Sequence, residues 1–235
     1  MMEQFGLIVK FESSLTGVQH FVPSQLRSPC EDLFKMEPSP SDPCPLYIHF
    51  PSGFVPHGLY SQLVSRCIKC CSENGSKLAP GLRDMACCLL ITKKSTHKFI
   101  LICKKRFIKI VLKQTEPHDE ASLAEIEEVA NLLRRFLEDT LQKLLQELPW
   151  LRNVQYQLSV ECPYCLKNQC LKHGKVSCPH EDCMCVIEVS QEGQPIYCQF
   201  SCQILTVPGL EKWLSTKGKA NVIKRVSVQA KALFH

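Results

Sequence analysis

The hydrophobic residues in the first third of the chain follow the two-residue period of strands before they change to the period of a helix. Two apolar runs, at 5–11 and 18–22, are separated by polar residues and predict a hairpin. A proline-rich stretch at 37–45 predicts a loop or linker, because proline disrupts helices and central strands. The alternating segment 46–50 predicts a strand, and apolar residues at helical spacing predict a helix over about 58–72.

The rest of the chain predicts a group of strands, one long helix and further short strands. Three apolar runs between 85 and 113 are separated by polar residues, as in an antiparallel meander. The strongest helical pattern begins with a capping box at Ser122 and Glu125 and stops at Pro149. The order predicts an α+β fold, in which an antiparallel or mixed β-sheet is combined with a long amphipathic helix and a Cys-rich β region.

The composition is that of a globular chain outside the membrane. Hydrophobic residues make up 45% of the 235 positions, which is enough to bury a sizeable core. The formal net charge of +5 implies no particular partner, and no apolar run approaches the roughly 18 residues of a membrane helix. The first residues lack the basic region and cleavage site of a secretory signal, so we expect a cytoplasmic protein.

The chain contains 16 cysteines, which we expect to be reduced thiols because cytosolic proteins rarely keep disulfides. Six of them lie in helical or strand-like patterns, where a thiol fills the core as a small apolar group: Cys67, Cys70, Cys71, Cys87, Cys88 and Cys103.

Four later cysteines have the spacing of a structural zinc site. The predicted ligands form a C-x2-C pair and a C-x4-C pair separated by twelve residues: Cys162, Cys165, Cys178 and Cys183. Zinc prefers four thiolate or imidazole ligands in a tetrahedron, and two such pairs supply them. Other ligands lie close enough to substitute for one of these, which leaves the fourth ligand open: Cys170, His173, His180 and Cys185.

Two other interpretations of this cysteine pattern remain open. The segment "CPYC" is also what a turn between two strands with buried thiols would contain, and additional cysteines raise the chance of a coincidental match. A redox pair is favoured less, because such a pair usually opens a helix after a strand, and 166–170 show no sustained helical period. If zinc binds, four protein ligands leave no position for an activated water, so the metal is structural.

Lysine and arginine are concentrated between 93 and 113, with Lys104, Lys105 and Arg106 at a predicted hairpin tip. Such a cluster can bind phosphate, but exposed strands also carry lysines that prevent aggregation. Phe99 and Phe107 have the pattern of buried residues, so no aromatic platform for bases is evident and nucleic acid is disfavoured as a partner. Catalytic residues are not predicted, because the cysteines and histidines have no spacing that defines a catalytic group.

Several stretches taken in order resemble one family. They are "MMEQFGLIVKF", "FVPSQL", "PLYIHFPSGFVPHGLYSQLVSRC", the long helix and "VECPYCLK". Together they resemble the C-terminal-of-Roc (COR) domain of Roco proteins, of the animal type without a kinase. The most specific part runs from Gly53 to Arg66, where an aromatic residue, a proline and a glycine precede an amphipathic helix.

The resemblance implies a COR module whose second half, a mixed sheet with helices, often mediates dimerisation. It implies that 1–25 are a remnant of the winged-helix-like first half and that 26–235 are the second half, with 159–205 as the Cys-rich β region. The chain has no GxxxxGK[ST] phosphate loop, so it departs from the family by lacking the Roc GTPase. We therefore expect a fragment or truncated form that binds no nucleotide by itself.

These observations predict a non-catalytic protein-interaction or dimerisation module that acts with Roco-type GTPase signalling. Its expected partner is a Roc-type GTPase domain or a second COR copy in a homodimer. The apolar helix faces supply residues for either the interface or the core: Leu59, Leu63, Leu133, Phe136, Leu137, Leu141 and Leu144. The alternative is a zinc-ribbon-containing protein that binds nucleic acid.

Overall fold

The computed structural model describes residues 9–13, 17–21, 38–73, 79–82, 85–91, 96–114, 120–170, 172–176, 178, 180–189, 196–198, 200 and 204–214. The strands are β1 Val9–Ser13, β2 Gly17–Phe21, β3 Leu46–His49, β4 Ala79–Leu82, β5 Met85–Ile91, β6 Thr96–Cys103, β7 Phe107–Gln114, β8 Gln157–Glu161, β9 Val186–Glu188, β10 Ile196–Tyr197 and β11 Ile204–Leu205. The helices are α1 Leu59–Glu73, α2 Glu120–Glu147, α3 Pro163–Lys167 and α4 Glu211–Leu214.

Seven of the strands form one antiparallel sheet in the order β4-β5-β6-β7-β3-β8-β9. The meander β5 to β7 agrees with the alternating pattern of 85–113. Strand β3 pairs with β7 on one side and with β8 on the other, so a short early segment lies inside the sheet. The pairs β1-β2 and β10-β11 are separate antiparallel ribbons. The fold is α+β, as predicted.

The main core lies between one face of the sheet and helices α1 and α2. Leu46 and Ile48 point to this face from β3, and their partners Ile110 and Ile108 on β7 are also fully buried. Helix α1 covers 59–73 against a prediction of 58–72, and its Leu59 belongs to the same core. Alternation in the strands and helical spacing in α1 thus direct apolar side chains into one shared layer.

The long helix α2 contributes a continuous apolar stripe to this core. Leu133, Leu137, Leu141 and Leu144 recur every three or four residues, and none is more than 2% exposed. The helix begins at Glu120, two residues before the serine of the predicted capping box, and a 3-10 turn at Pro149–Leu151 follows its end.

The structure places most of the residues that were predicted as interface or core positions in the core. Leu59 and Leu63 are fully buried, as are the four leucines of α2, and Phe136 is partly buried against the same core. The six leucines therefore contribute to the core of the fold.

The segment around α4 returns to the loop that precedes β3. Trp213 is fully buried, and its Nε1 donates a 2.7 Å hydrogen bond to the Cys44 carbonyl. Gly209 has φ +83°, and a Cβ added there would lie 2.7 Å from the backbone nitrogen of Cys44. Glycine is therefore required at this close approach.

Among the helices in the described part of the chain, none has the length and apolar character needed to cross a bilayer.

Candidate metal centre

Eight cysteine and histidine side chains at one end of the sheet form two groups of four. The outer cluster consists of Cys162, Cys165, Cys185 and Cys198, and the inner cluster consists of Cys170, His173, Cys178 and Cys183. Within each cluster the four ligand atoms all lie within 4.8 Å of one another. In the chain, the inner cluster is contained entirely between the second and third ligands of the outer one.

The outer cluster is assembled by the end of β8, the start of β9 and the residue after β10. Cys162 caps α3, and its Sγ accepts a hydrogen bond from the Cys165 backbone N–H at 3.4 Å. Pro163 fits the first turn of that helix, where its missing N–H has no cost. The Cys162 N–H donates to the Cys185 carbonyl at 2.9 Å, which joins the β8 and β9 ends of the cluster.

The inner cluster is built on a tight turn and a 3-10 turn in the connection from β8 to β9. Cys170 accepts from the backbone N–H of His173 through its Sγ at 3.2 Å and from the Gly174 N–H through its carbonyl at 2.9 Å. Gly174 has φ +61°, which closes this turn. Cys183 lies on the 3-10 turn at Glu181–Cys183, where its N–H donates to the His180 carbonyl at 2.9 Å.

One sulfur–sulfur distance and three sulfur–nitrogen distances between ligand atoms are close to those of tetrahedral coordination. With Zn–S bonds of about 2.3 Å and Zn–N bonds of about 2.0 Å, tetrahedral edges are about 3.8 Å between sulfurs and about 3.5 Å between sulfur and nitrogen. Sγ of Cys165 and Sγ of Cys198 are 3.7 Å apart. Nδ1 of His173 lies 3.7, 3.5 and 3.2 Å from the sulfurs of Cys170, Cys178 and Cys183.

The two clusters differ in exposure. Cys162 and Cys198 are fully buried, whereas His173 is exposed and the three cysteines of the inner cluster are half-buried. A small cavity of about 20 Å³ is bordered by three ligands from each cluster. The two clusters therefore lie side by side. The cluster called inner, because its ligands lie between those of the outer cluster in the sequence, is the more exposed of the two.

The pKa values of two thiols in each cluster are shifted: Cys165 and Cys185 in the outer cluster, and Cys170 and Cys183 in the inner one. Burial raises the pKa of Cys165, and hydrogen bonding with Cys185 and the other outer thiols adds to this effect. Burial, partly opposed by the hydrogen bond with Cys165, raises the pKa of Cys185 to about 12, and charge on Cys162 and Cys198 contributes. A divalent cation would remove the cost of placing several thiolates together, because it supplies the missing positive charge.

In the inner cluster the perturbations have opposite signs. Hydrogen bonding with the backbone at Lys175, followed by that of His173, lowers the pKa of Cys170 to about 6 against the cost of desolvation. Desolvation and then the neighbouring Cys170 and Cys178 raise the pKa of Cys183 to about 11. Without metal, ionisation of Cys170 is thus favoured. The negative charge that results opposes ionisation of the neighbouring thiols.

The structure divides the four cysteines that spacing had grouped into one site. Cys162 and Cys165 belong to the outer cluster, while Cys178 and Cys183 belong to the inner one. The reason is the antiparallel pairing of β8 and β9, which brings Cys185 beside Cys162 and leaves the intervening residues as a closed excursion.

Three of the substitute ligands named from the sequence are cluster members: Cys170, His173 and Cys185. His180 is not a member, and its ring stacks on that of His173 at a centroid distance of 4.3 Å. Cys198 was not singled out from the sequence. The signal that could have identified it is the number of cysteines, since seven between 162 and 198 with one histidine suffice for two complete sites.

A redox role for the C-x-x-C pair has less support than a structural one. The pair does open a helix after a strand, but α3 has only five residues. Cys162 is fully buried, whereas a redox-active nucleophilic cysteine lies in a partly exposed environment. None of the described cysteines forms a disulfide.

A groove of about 900 Å³ lies next to the outer cluster, between the sheet and the β10-β11 ribbon. Phe107 lies on its sheet side, and Tyr197 and Phe200 on its other side are 53% and 73% exposed. His49 and Arg106 supply polar groups, and burial, followed by the charge of Arg106, lowers the pKa of His49. The groove is thus an amphipathic surface whose outer aromatic side chains face solvent.

The basic hairpin lies at the end of the sheet where β7 and β8 begin, whereas Cys162 follows the other end of β8. Lys104, Lys105 and Arg106 connect β6 to β7, as predicted. The Arg106 backbone N–H lies 3.4 Å from Oε2 of Glu181, so an acidic side chain of the β8-β9 connection approaches the hairpin tip. Lys109 is only 3% exposed and does not contribute to a basic surface.

Comparisons with protein-family models, curated proteins and solved structures found no match.

Proposed function

We propose that this chain is a non-catalytic protein-interaction module of the COR type whose Cys-rich region is stabilised by two structural zinc ions. The observation that carries the proposal is the completeness of the two clusters. Each provides four protein ligands, so a tetrahedral ion in either has no open position for water or substrate. A metal bound in this way acts on folding and does not activate a reactant.

Zinc is the ion that best fits the donors. Thiolate and imidazole ligands in tetrahedral arrangements select zinc or iron–sulfur centres over magnesium and calcium, which require oxygen. The inner cluster contains a histidine, and its sulfur to nitrogen distances match zinc geometry. The outer cluster of four thiols suits either metal, so the identity of its ion is part of the test.

The interaction role is supported by the exposed aromatic side of the groove and by the sequence resemblance to COR domains. Tyr197, Phe200 and Ile204 are 53%, 73% and 66% exposed, which leaves apolar surface close to the outer cluster. Aromatic residues are enriched in interfaces between proteins. We infer that this surface contacts a second copy of the chain, as the dimerising half of a COR module would.

The metal part is tested by elemental analysis of protein purified under reducing conditions from zinc-replete medium. We expect two zinc ions per chain in the wild type and about two in the control Cys44→Ser plus Cys103→Ser, which removes two thiols outside the clusters. Cys165→Ser plus Cys198→Ser should leave one. Wild-type protein without stoichiometric metal contradicts the proposal, and iron in the outer site contradicts its zinc assignment.

The association part is tested by sedimentation over a range of protein concentrations. We expect a concentration-dependent dimer that is weakened at least tenfold by Tyr197→Ser plus Phe200→Ser. Phe54→Ser is the matched control, because Phe54 is 57% exposed but does not line the groove. A chain that stays monomeric, and that also fails to bind an isolated Roc-type GTPase domain, contradicts the interaction role.

A further inference from the structure

The arrangement of the two clusters along the chain has a thermodynamic consequence. Cys165 and Cys185 are both ligands of the outer cluster, and the 19 residues between them contain all four ligands of the inner cluster. A metal ion in the inner cluster therefore cross-links the same loop that the outer cluster must close. We propose that the two metal sites are positively coupled, with zinc in the inner cluster preorganising the outer one.

This inference rests on the proposed zinc binding and adds an interaction between the sites. Without metal in the inner cluster, closing the outer site requires the whole excursion from Cys165 to Cys185 to be ordered. With the inner site filled, the path runs from Cys165 to Cys170, across the metal, and from Cys183 to Cys185. The closed path then has an effective length of about eight residues instead of about twenty, which reduces the entropy of closure.

The loop-closure relation converts this shortening into an affinity change. The free-energy cost of closing a flexible loop grows as (3/2)RT ln n, so the closure equilibrium constant falls with the three-halves power of loop length. Shortening the path from about twenty to about eight residues should therefore strengthen zinc binding in the outer site about fourfold. Linkage requires that outer zinc strengthens inner binding by the same factor.

Contacts between the two clusters support direct transmission of this effect. Cys183 and Cys185 are two residues apart but belong to different clusters, so fixing one restricts the other. Cys185 also accepts from the Cys162 N–H at 2.9 Å immediately before β9. Ligands of both clusters border the same cavity of about 20 Å³. Restricting the inner turn therefore also fixes the point where β9 joins the sheet.

Electrostatic repulsion acts against this coupling. A zinc ion with four thiolates carries a net negative charge, and so does one with three thiolates and a neutral histidine. The excursion contains the exposed Lys167, Lys172 and Lys175 but also the acidic Glu181 and Asp182, so its side chains offset only part of this charge. Added salt should weaken the remaining repulsion, because it screens exposed charges. The coupling factor is therefore expected to rise, not fall, with ionic strength.

The experiment measures zinc binding to the full chain by competition with a chelator of known affinity, under reducing conditions, with native mass spectrometry to count bound ions. Three proteins are compared: the wild type, an inner-site variant Cys170→Ser plus Cys178→Ser, and an outer-site variant Cys165→Ser plus Cys198→Ser. Cys44→Ser plus Cys103→Ser controls for removing two thiols. Each site variant should bind one zinc ion.

The expected result is that the product of the two wild-type association constants exceeds the product of the two single-site constants about fourfold or more. A ratio below two, with two zinc ions still bound by the wild type, overturns the coupling and leaves the proposed zinc binding intact. A wild type that binds no zinc overturns both.

Folding is checked by circular dichroism and by tryptophan fluorescence, to which the buried Trp213 and the partly buried Trp150 contribute. If the double inner-site variant has lost its fold, Cys178→Ser alone replaces it, because one missing ligand weakens the inner site without removing it. In that variant the zinc affinity of the outer site must decrease together with that of the inner site. An unchanged outer-site affinity overturns the proposal.

Discussion

At the scale of single residues, a few positions have requirements that come from their surroundings and not from their own chemistry. Gly209 is one, because its positive φ and the backbone of the Cys44 loop leave no room for a side chain. Asp42 is another, since its carboxylate accepts from the Ser39 N–H at 2.9 Å and from the Gln114 N–H at 3.2 Å. Composition and periodicity give no indication of either requirement.

We predict that Gly209→Ala destabilises the protein by about 2 kcal/mol or more, because it combines backbone strain with a steric clash. Gly53→Ala is the matched control. Gly53 also has a positive φ, at +98°, but a Cβ there would meet nothing within 4 Å, so only the strain remains. Urea denaturation of both variants measures the difference. Equal losses would show that the contact with Cys44 does not matter.

At the scale of elements, the sequence was most informative where apolar periodicity was long and uninterrupted. The bounds of α1 and the meander β5 to β7 follow the predicted pattern closely, because side-chain period and burial agree there. The N-terminus of α2 was predicted two residues late, since a capping-box sequence also occurs inside helices. Short strands such as β9, with three residues, have too few positions to establish a period.

We predict that Leu141→Ala in the middle of α2 lowers the free energy of unfolding by about 2 to 5 kcal/mol, the range for a fully buried leucine. Gln142→Ala, at the adjacent exposed position, should change it by less than about 0.5 kcal/mol. The comparison uses the denaturation midpoints at a common slope. A small effect of both substitutions would mean that the apolar stripe of α2 contributes little to the stability of the fold.

At the scale of the whole molecule, the two Cys/His clusters lie on the β8-β9 side of the sheet, and the main hydrophobic core lies between the sheet and helices α1 and α2. Of the eight cluster ligands, Cys162 and Cys198 belong to a separate small hydrophobic group with Ile187, and none belongs to the main core. The cluster ligands and the main core are therefore largely separate, with Ile196 packed against both hydrophobic groups. Metal loss should open one side of the molecule without unfolding the other.

We predict that chelator treatment of the zinc-loaded protein, followed by hydrogen exchange with mass spectrometry, increases exchange in β9 and in residues 162–185. Strands β6 and β7 and helix α2 should keep their protection, because their core does not include a cluster ligand. Loss of protection throughout the chain would show that the metal sites determine the stability of the entire fold. The control Cys44→Ser plus Cys103→Ser should respond like the wild type.

The sequence by itself determined the class of fold, the main helices, the apolar stripe of α2 and the concentration of potential metal ligands near 162–183, because these depend on local period and on residue type. The tertiary structure alone decided which ligands meet. Spacing pairs neighbours along the chain, but antiparallel pairing of β8 with β9 brings Cys185 beside Cys162, and the β10 region adds Cys198. Four ligands between them were thereby left to form a second, enclosed cluster, because strand pairing joins residues that are distant in sequence.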